Sequence, residues 1–362
     1  MTSTQVHAAR RSAMLAAMAD SLFGARYPLV QAPMAGGPDT PALAAAVGDA
    51  GGLGSIGCAY LTVAKIEAAA AEVRRLTARP FAINLFVRGD EPGAAAVAAE
   101  VAVSLPIVRA FRRELGLAGD PPPAAPMPRF DDQLEAVLRI APPVFSFTFG
   151  IVTRDHVAAL RARGIAIVGT ATTVDEGDAL DELGVDAISA QGSEAGGHRG
   201  TFAGRFEDAL VGTMTLVPQL ARRTRRPVLA AGGIMDGAGI RAAMALGAAG
   251  VQLGTAFMCC PEAGTAPAHR AALATARHTV VTRAFSGRPA RGIRNRMTDA
   301  YEAVTPPAFP HQQRLTGELR SAASAAGRTD VMQLWAGQGA PLVRALPAGE
   351  LVATLAREAG WA

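Results

Sequence analysis

Along most of the chain, short apolar runs alternate with longer stretches whose apolar positions recur every three or four residues. These two periods separate buried parallel strands from the helices laid on them. Tyr27 to Met34 reads as a first strand ending in a sharp turn at Gly36-Gly37-Pro38, and Thr40 stands where it can cap a helix with Leu43, Ala46 and Val47 on its apolar face. Gly51 to Gly57 is a glycine-bracketed second strand, Val63 to Leu76 the next helix, and Phe81 to Leu85 a third strand carrying Asn84 at its end. After an interruption the alternation resumes with strand Val144 to Phe147, helix Thr153 to Arg163, strand Ala166 to Thr170 and helix Val174 to Leu183. Strand Val185 to Ala190, helix Phe206 to Arg223, strand Val228 to Ala231, helix Gly237 to Leu246 and strand Gly250 to Leu253 complete the series. Eight strands with intervening helices is the count of a TIM (β/α)8 barrel, an α/β fold. A doubly wound open sheet is the alternative, and no Gly-x-Gly-x-x-Gly opening of the dinucleotide type supports it.

Two regions fall outside the alternation. Between Leu85 and Val144 lie a helical stretch from Ala94 to Leu115, a proline-rich link from Pro121 to Pro128 and a helix from Asp131 to Ile140. The tail from Pro267 to Ala362 reads as mostly helical. The expected organisation is therefore a discontinuous barrel, residues 20–85 and 140–266, with a second, mostly helical domain, residues 86–139 and 267–362, covering its mouth. A disordered insert is the alternative for the first region, but only Asp120 to Pro128 lacks a pattern. Residues 1–19 carry Arg10-Arg11 before a short apolar run that Asp20 ends too early for an export signal, so a helical extension closing the barrel bottom is expected there.

Composition narrows the function classes. Half of the 362 residues are hydrophobic and only 5% aromatic, which suits small aliphatic helices packed on a parallel sheet. No apolar run approaches a transmembrane span. The net charge of +4 comes from scattered arginines, and the one dense cluster, Arg222, Arg223, Arg225 and Arg226, sits at a helix end where it suits the dipole. Neither a nucleic-acid nor a membrane partner is expected. Lys65 is the only lysine and falls inside a helix, against Schiff-base or P-loop chemistry. Cys58, Cys259 and Cys260 are odd in number and lack metal spacing, which points to a reducing cytoplasm and no structural metal.

The candidate chemistry collects at strand ends. Ser189 to Gly200 runs from the sixth strand through Gly192, Gly196 and Gly197 to His198. Glycines there let the backbone approach a flat ring or a phosphate, and histidine is the side chain that most readily changes protonation near neutral pH. Read alone, the same stretch is an ordinary surface loop. Strand seven runs into Gly232-Gly233 and strand eight into Gln252-Leu253-Gly254-Thr255, the two places where barrels often hold a phosphate. Met34, Asn84 and Gln191 fall at the same end, and with these loops could recognise an isoalloxazine ring.

Gln31-Ala-Pro-Met-Ala-Gly-Gly, Gly192-Ser-Glu-Ala-Gly-Gly-His-Arg-Gly, Ala231-Gly-Gly-Ile, Gln252-Leu-Gly-Thr, Gly287-Arg-Pro-Ala-Arg-Gly and Trp335-Ala-Gly-Gln together resemble the class I nitronate monooxygenases, formerly called 2-nitropropane dioxygenases. The resemblance runs from about Tyr27 to Gly339. It implies noncovalent FMN contacted by Met34, Asn84, Gln191, Gly196, Gly197, Gly232, Gly233, Gln252, Leu253, Gly254 and Thr255, with His198 as the active-site residue. It also implies oxidation of an alkyl nitronate by O2, through a flavin semiquinone, to a carbonyl compound and nitrite or nitrate, with detoxification of propionate 3-nitronate as the suggested role. His198 would either hold the nitronate oxygens when protonated or, when neutral, take the α-proton of a nitroalkane. Glu194, close by, is expected to brace the loop. Relatives often carry Tyr-Pro and a nearby Asn where this chain has Phe309-Pro-His-Gln-Gln313, so the family's substrate preference is not carried over at this stretch. Two alternatives stand beside this reading: an NAD(P)H-dependent FMN reductase acting on an enoyl thioester or a quinone, and a flavin-binding protein without turnover.

Overall fold

Eight strands run parallel and meet edge to edge. In the computed structural model, which describes residues 22–87, 93–123 and 126–362, they are β1 (Leu29–Gln31), β2 (Gly54–Gly57), β3 (Phe81–Phe86), β4 (Val144–Thr148), β5 (Ala166–Ala171), β6 (Ala187–Gln191), β8 (Val228–Ala231) and β9 (Gly250–Leu253). The ladder runs from β2 through β3, β4, β5, β6, β8 and β9 to β1. A parallel bridge between Val30 and Leu53, with Gln31 N–H donating to Leu53 O (2.9 Å) and Leu53 N–H to Leu29 O (2.8 Å), joins β1 back to β2. The sheet is thus a closed (β/α)8 barrel, and the open-sheet alternative falls. The N-terminal extension expected over residues 1–19 lies outside the described residues.

Strand alternation sorts each strand's side chains between two environments. Leu29, Ile83, Phe145, Phe147, Ile167 and Ile188 face the helices and form the large outer core. Leu53, Ala82, Val144, Val168, Ala187 and Leu229 point inward and, with Leu22 and Ala25, fill the barrel's lower interior. Two residues further along, five of these inward rows turn polar, at Ser55, Asn84, Ser146, Thr170 and Ser189. The change from apolar to polar marks where packing ends and the mouth begins.

The helices follow the expected signals. Thr40 Oγ1 accepts from Leu43 N–H (2.9 Å) at the start of helix Pro41–Asp49. Thr153 caps helix Arg154–Arg161 and Thr173 caps helix Val174–Leu183 in the same manner. Two expected helices are divided. Residues 94–97 and 206–209 are 3-10 turns, followed by α-helices Ala98–Glu114 and Thr213–Arg223. In the second case the chain turns aside at Gly212, which brings Thr213 to the Glu194 carboxylate.

The tail departs from a helical reading. β10 (Thr279–Thr282) and β11 (Ala290–Ile293) pair antiparallel, and β11 also pairs with β7 (Gly197–His198), the end of the glycine loop after β6. Helix Ala98–Glu114 contributes Val108 and Phe111 to a separate apolar cluster with Phe285, Met297, Tyr301, Leu319, Met332 and Leu334. The last helix, Ala348–Ala359, does not join that cluster. Leu351, Val352 and Leu355 are buried in the barrel's outer core, so the expected grouping of residues 267–362 into one covering domain is corrected at this helix.

Candidate active site

A cavity of about 640 Å3 lies at the C-terminal ends of the barrel strands, within the range of small-molecule and cofactor sites. His198 and every residue expected to contact FMN line it. Met34 comes from the loop after β1, Asn84 from β3, Gln191 from β6, Gly196, Gly197 and His198 from the loop and β7, Gly232 and Gly233 from the loop after β8, and Gln252, Leu253, Gly254 and Thr255 from the end of β9.

Their hydrogen bonds separate exposed chemistry from scaffolding. Gln191 Nε2 donates to His198 O (3.0 Å) and Gln191 Oε1 accepts from Gly200 N–H (2.8 Å), so this amide holds the loop closed on itself. Asn84 Nδ2 donates to Ser146 Oγ (2.9 Å). Glu194 accepts from Thr213 N–H (2.9 Å) and Oγ1 (2.9 Å), the bracing role expected of it. Arg199, with 1% of its surface exposed, donates to the carbonyls of Gly192, Gln191 and Ala209, and Arg291 Nε to that of Ser193 (2.8 Å). At Gly196 a side chain is excluded, because a Cβ would meet Gly337 N at 2.4 Å. Gly232 and Gly233 have φ of +112° and +75°, left-handed values that favour glycine.

Sequence reasoning missed several groups. Ser189 lines the cavity two residues before Gln191, on the same face of β6, and its buried Oγ has no partner among the described residues. The signal was a polar residue at an inward position of an otherwise apolar strand. Phe86, Phe149 and Trp335 line the cavity too. With Phe309 they surround His198, at ring-centroid distances of 6.1, 5.5, 5.5 and 6.2 Å for Phe86, Phe149, Trp335 and Phe309. These residues lie far apart in sequence, and no spacing connects them. Phe149 takes φ of +80°, uncommon for a bulky residue and characteristic of functional sites.

His198 Nε2 is 2.8 Å from Ser286 Oγ. When the Ser286 hydroxyl donates to Arg288 O (3.2 Å), its oxygen accepts from Nε2–H and Nδ1 carries the basic lone pair. Burial among the four rings, and then the positive charges of Arg288 and Arg320, push the imidazole's pKa down to about 3. At neutral pH His198 is therefore uncharged. Arg288 stacks 3.8 Å over the Phe149 ring and donates to the carbonyls of Arg199 and Thr201. Asp39, beneath the loop after β1, accepts from Gln31 Nε2, Met34 N–H and Gly57 N–H, yet burial outweighs these bonds and raises its pKa to about 7.

A family model described as nitronate monooxygenase matches residues 19–358. A nitronate monooxygenase of Pseudomonas aeruginosa is 46% identical over 93% of this chain and 97% of its own. The chain belongs to the nitronate monooxygenase family. Membership makes it an FMN-dependent oxidoreductase that oxidises nitronates. A probable nitronate monooxygenase of Staphylococcus saprophyticus is 38% identical over 93% of this chain and 96% of its own. Among solved structures, the nitroalkane oxidase of Streptomyces ansochromogenes superposes with a TM-score of 0.88 at 40% identity, covering 94% of this chain and 98% of that one. FabK from Thermotoga maritima gives a TM-score of 0.72 at 27% identity, covering 95% and 96%.

The cavity suits the family's flavin. Gly196, Gly232 and Gly233 let the lining loops pack closely on Gly337, Ala195 and Glu194, and the unpartnered Ser189 Oγ offers a buried hydroxyl to a polar ring edge.

Proposed function

We propose that the chain oxidises small alkyl nitronates, propionate 3-nitronate foremost, and that His198 works as a neutral base toward substrates arriving as nitroalkanes. The observation that carries the base reading is the uncharged imidazole held by Ser286 inside an aromatic ring cage. A permanently protonated anchor is disfavoured there, because burial and two guanidiniums oppose the imidazolium. Nδ1 would take the α-proton of a nitroalkane, while a preformed nitronate needs no such step.

FMN would lie against Met34, Asn84, Gln191 and the Gly196-Gly197 wall, its phosphate toward the backbone of Gly232, Gly233, Gln252, Leu253, Gly254 and Thr255. When bound it supplies the electron acceptor that couples nitronate oxidation to O2. The second apolar cluster, with helix Ala98–Glu114 and the tail up to the last helix, would cover this mouth and keep water out. The four rings around His198 support that reading by making the floor of the cover apolar.

The test is His198→Asn, which keeps hydrogen-bonding groups and removes the base. FMN content should be retained, and turnover of nitroethane should fall by about 10²- to 10⁴-fold, far more than turnover of preformed ethyl nitronate. Equal kinetics with the wild type on both substrates would refute the role. Rapid anaerobic bleaching of the wild type by NAD(P)H would favour the reductase alternative instead.

A further inference from the structure

β1 parts from β2 before β2 ends. Gln31 N–H donates to Leu53 O (2.9 Å) and Leu53 N–H to Leu29 O (2.8 Å), but one residue further Ala32 N–H is on Leu253 O (2.8 Å), so the chain keeps to β9. Alternate N–H groups of a parallel strand face the same neighbour, and those of Ser55 and Gly57 therefore point to the side that β1 has left. Side chains meet them there. Gln31 Oε1 accepts from Ser55 N–H (2.8 Å), Asp39 Oδ2 accepts from Gly57 N–H (2.8 Å), and Gln31 Nε2 ties the two together by donating to Asp39 Oδ1 (2.9 Å). At the barrel's closing seam the ladder thus runs on in side-chain oxygens.

Asp39 Oδ2 also accepts from Met34 N–H. One oxygen therefore joins the end of β2 to the turn after β1. A carboxylate suits this point, because three N–H donors converge on it and its two oxygens accept all three. Packing confines the same turn from other sides: a Cβ on Gly57 would meet Ala35 N at 2.5 Å, and one on Gly254 would meet Met34 Sδ at 3.8 Å. Met34 and Pro38 line the cavity on either side of this clasp, whereas Asp39 does not.

We propose that Asp39 is a positioning residue of the flavin site, which holds the turn carrying Met34 in the place where FMN lies against it. This rests on the contact between FMN and Met34 proposed above. Without the carboxylate, the N–H groups of Met34 and Gly57 lose their acceptor and the turn loses its tie to β2.

Asp39→Ala removes that acceptor, whereas Asp39→Asn keeps one oxygen for the two main-chain N–H groups. In equilibrium titrations followed by flavin fluorescence, Asp39→Ala should bind FMN about tenfold or more weaker than the wild type, and Asp39→Asn should recover most of the loss. At saturating FMN, the visible circular dichroism of the bound flavin should change in Asp39→Ala as it does in Met34→Ala. A carboxylate that only stabilised the fold would lower the Tm of Asp39→Ala and leave the spectrum of its bound flavin unchanged, and that result overturns the proposal. Asp39→Asn as weak as Asp39→Ala overturns it too. An altered Asp39→Ala beside a Met34→Ala that binds and colours FMN like the wild type means that the Met34 contact fails while the role of Asp39 in placing the turn stands. Hydrogen exchange in the wild-type holoenzyme needs no variant to fold: protection at the Met34 and Gly57 amides should exceed that at the exposed Gly36 and Gly37 by about tenfold or more. Protection at Met34 no greater than at Gly37 sinks the clasp.

Discussion

Among ring-lined walls an imidazole is easier to keep neutral than charged, and His198 shows the consequence for pH dependence. Its protonated form appears only as the pH falls through about 3. The pH profile of kcat/KM reports ionisations of the free enzyme. For a preformed nitronate, that profile should show no acid limb from His198 between about pH 5 and 8, where an unperturbed histidine titrates. A limb near 6.5 in the wild type that vanishes in His198→Asn would show the ring to be solvated and the cage open. At this scale much of the site was legible. His198, Met34, Asn84 and the paired glycines announced themselves as polar or glycine residues at strand ends, and all reach one cavity. Ser189 carried a readable signal that was overlooked. Arg320 carried none, and Trp335 entered only through the Trp335-Ala-Gly-Gln motif.

The element that organises the site is the segment from β6 to β7. Its glycines permit the path, but Glu194, Gln191, Arg199 and Arg291 hold it there through side-chain bonds to backbone. Removing one such brace leaves buried donors unpaired at roughly 1–3 kcal/mol. Glu194→Ala should therefore weaken FMN retention by about tenfold or more, measured by flavin fluorescence on dilution, with far-UV circular dichroism unchanged. Full retention would mean the loop is held by the remaining bonds alone. The eight strands were readable because parallel buried strands form continuous apolar runs between glycine breaks. β7, in the glycine loop after β6, and β10 and β11, in the tail, were not, since two- to four-residue strands have too few positions to show an alternation. The helix Ala348–Ala359 was readable as a helix but not as part of the barrel, because its partners, helices Pro41–Asp49 and Gly237–Ala245, lie more than a hundred residues earlier.

For the molecule as a whole, buried ionisable groups set the response to acid. His198 and His269 have folded pKa values near 3 and 4, below the unfolded value of about 6.5. Their contribution to stability is fully present above pH 6.5 and is lost as the pH falls toward those values. Asp39, raised to about 7, works the other way: its contribution is full below about pH 4 and is lost as the pH rises through 7. His269 donates from Nε2 to Trp335 O (3.1 Å), a bond glutamine can imitate. His269→Gln should be less stable than the wild type at pH 7, and the difference in Tm should shrink steadily from pH 6.5 to 4. A constant difference across that range would show that His269 titrates alike in both states.

The pairing of β7 with β11 joins His198 to Ala290 and places Ser286 on the approach to the same strand. During synthesis on the ribosome, residue 198 leaves the exit tunnel while its β-sheet partner, about ninety residues later, has not yet been translated. The barrel strands through β9 are complete before then. The imidazole consequently waits in a partly built enclosure until the tail arrives, and a chain cleaved between β9 and β11 would lack Ser286, Phe309 and Trp335 around it as well as the helix Ala348–Ala359 that packs on the barrel.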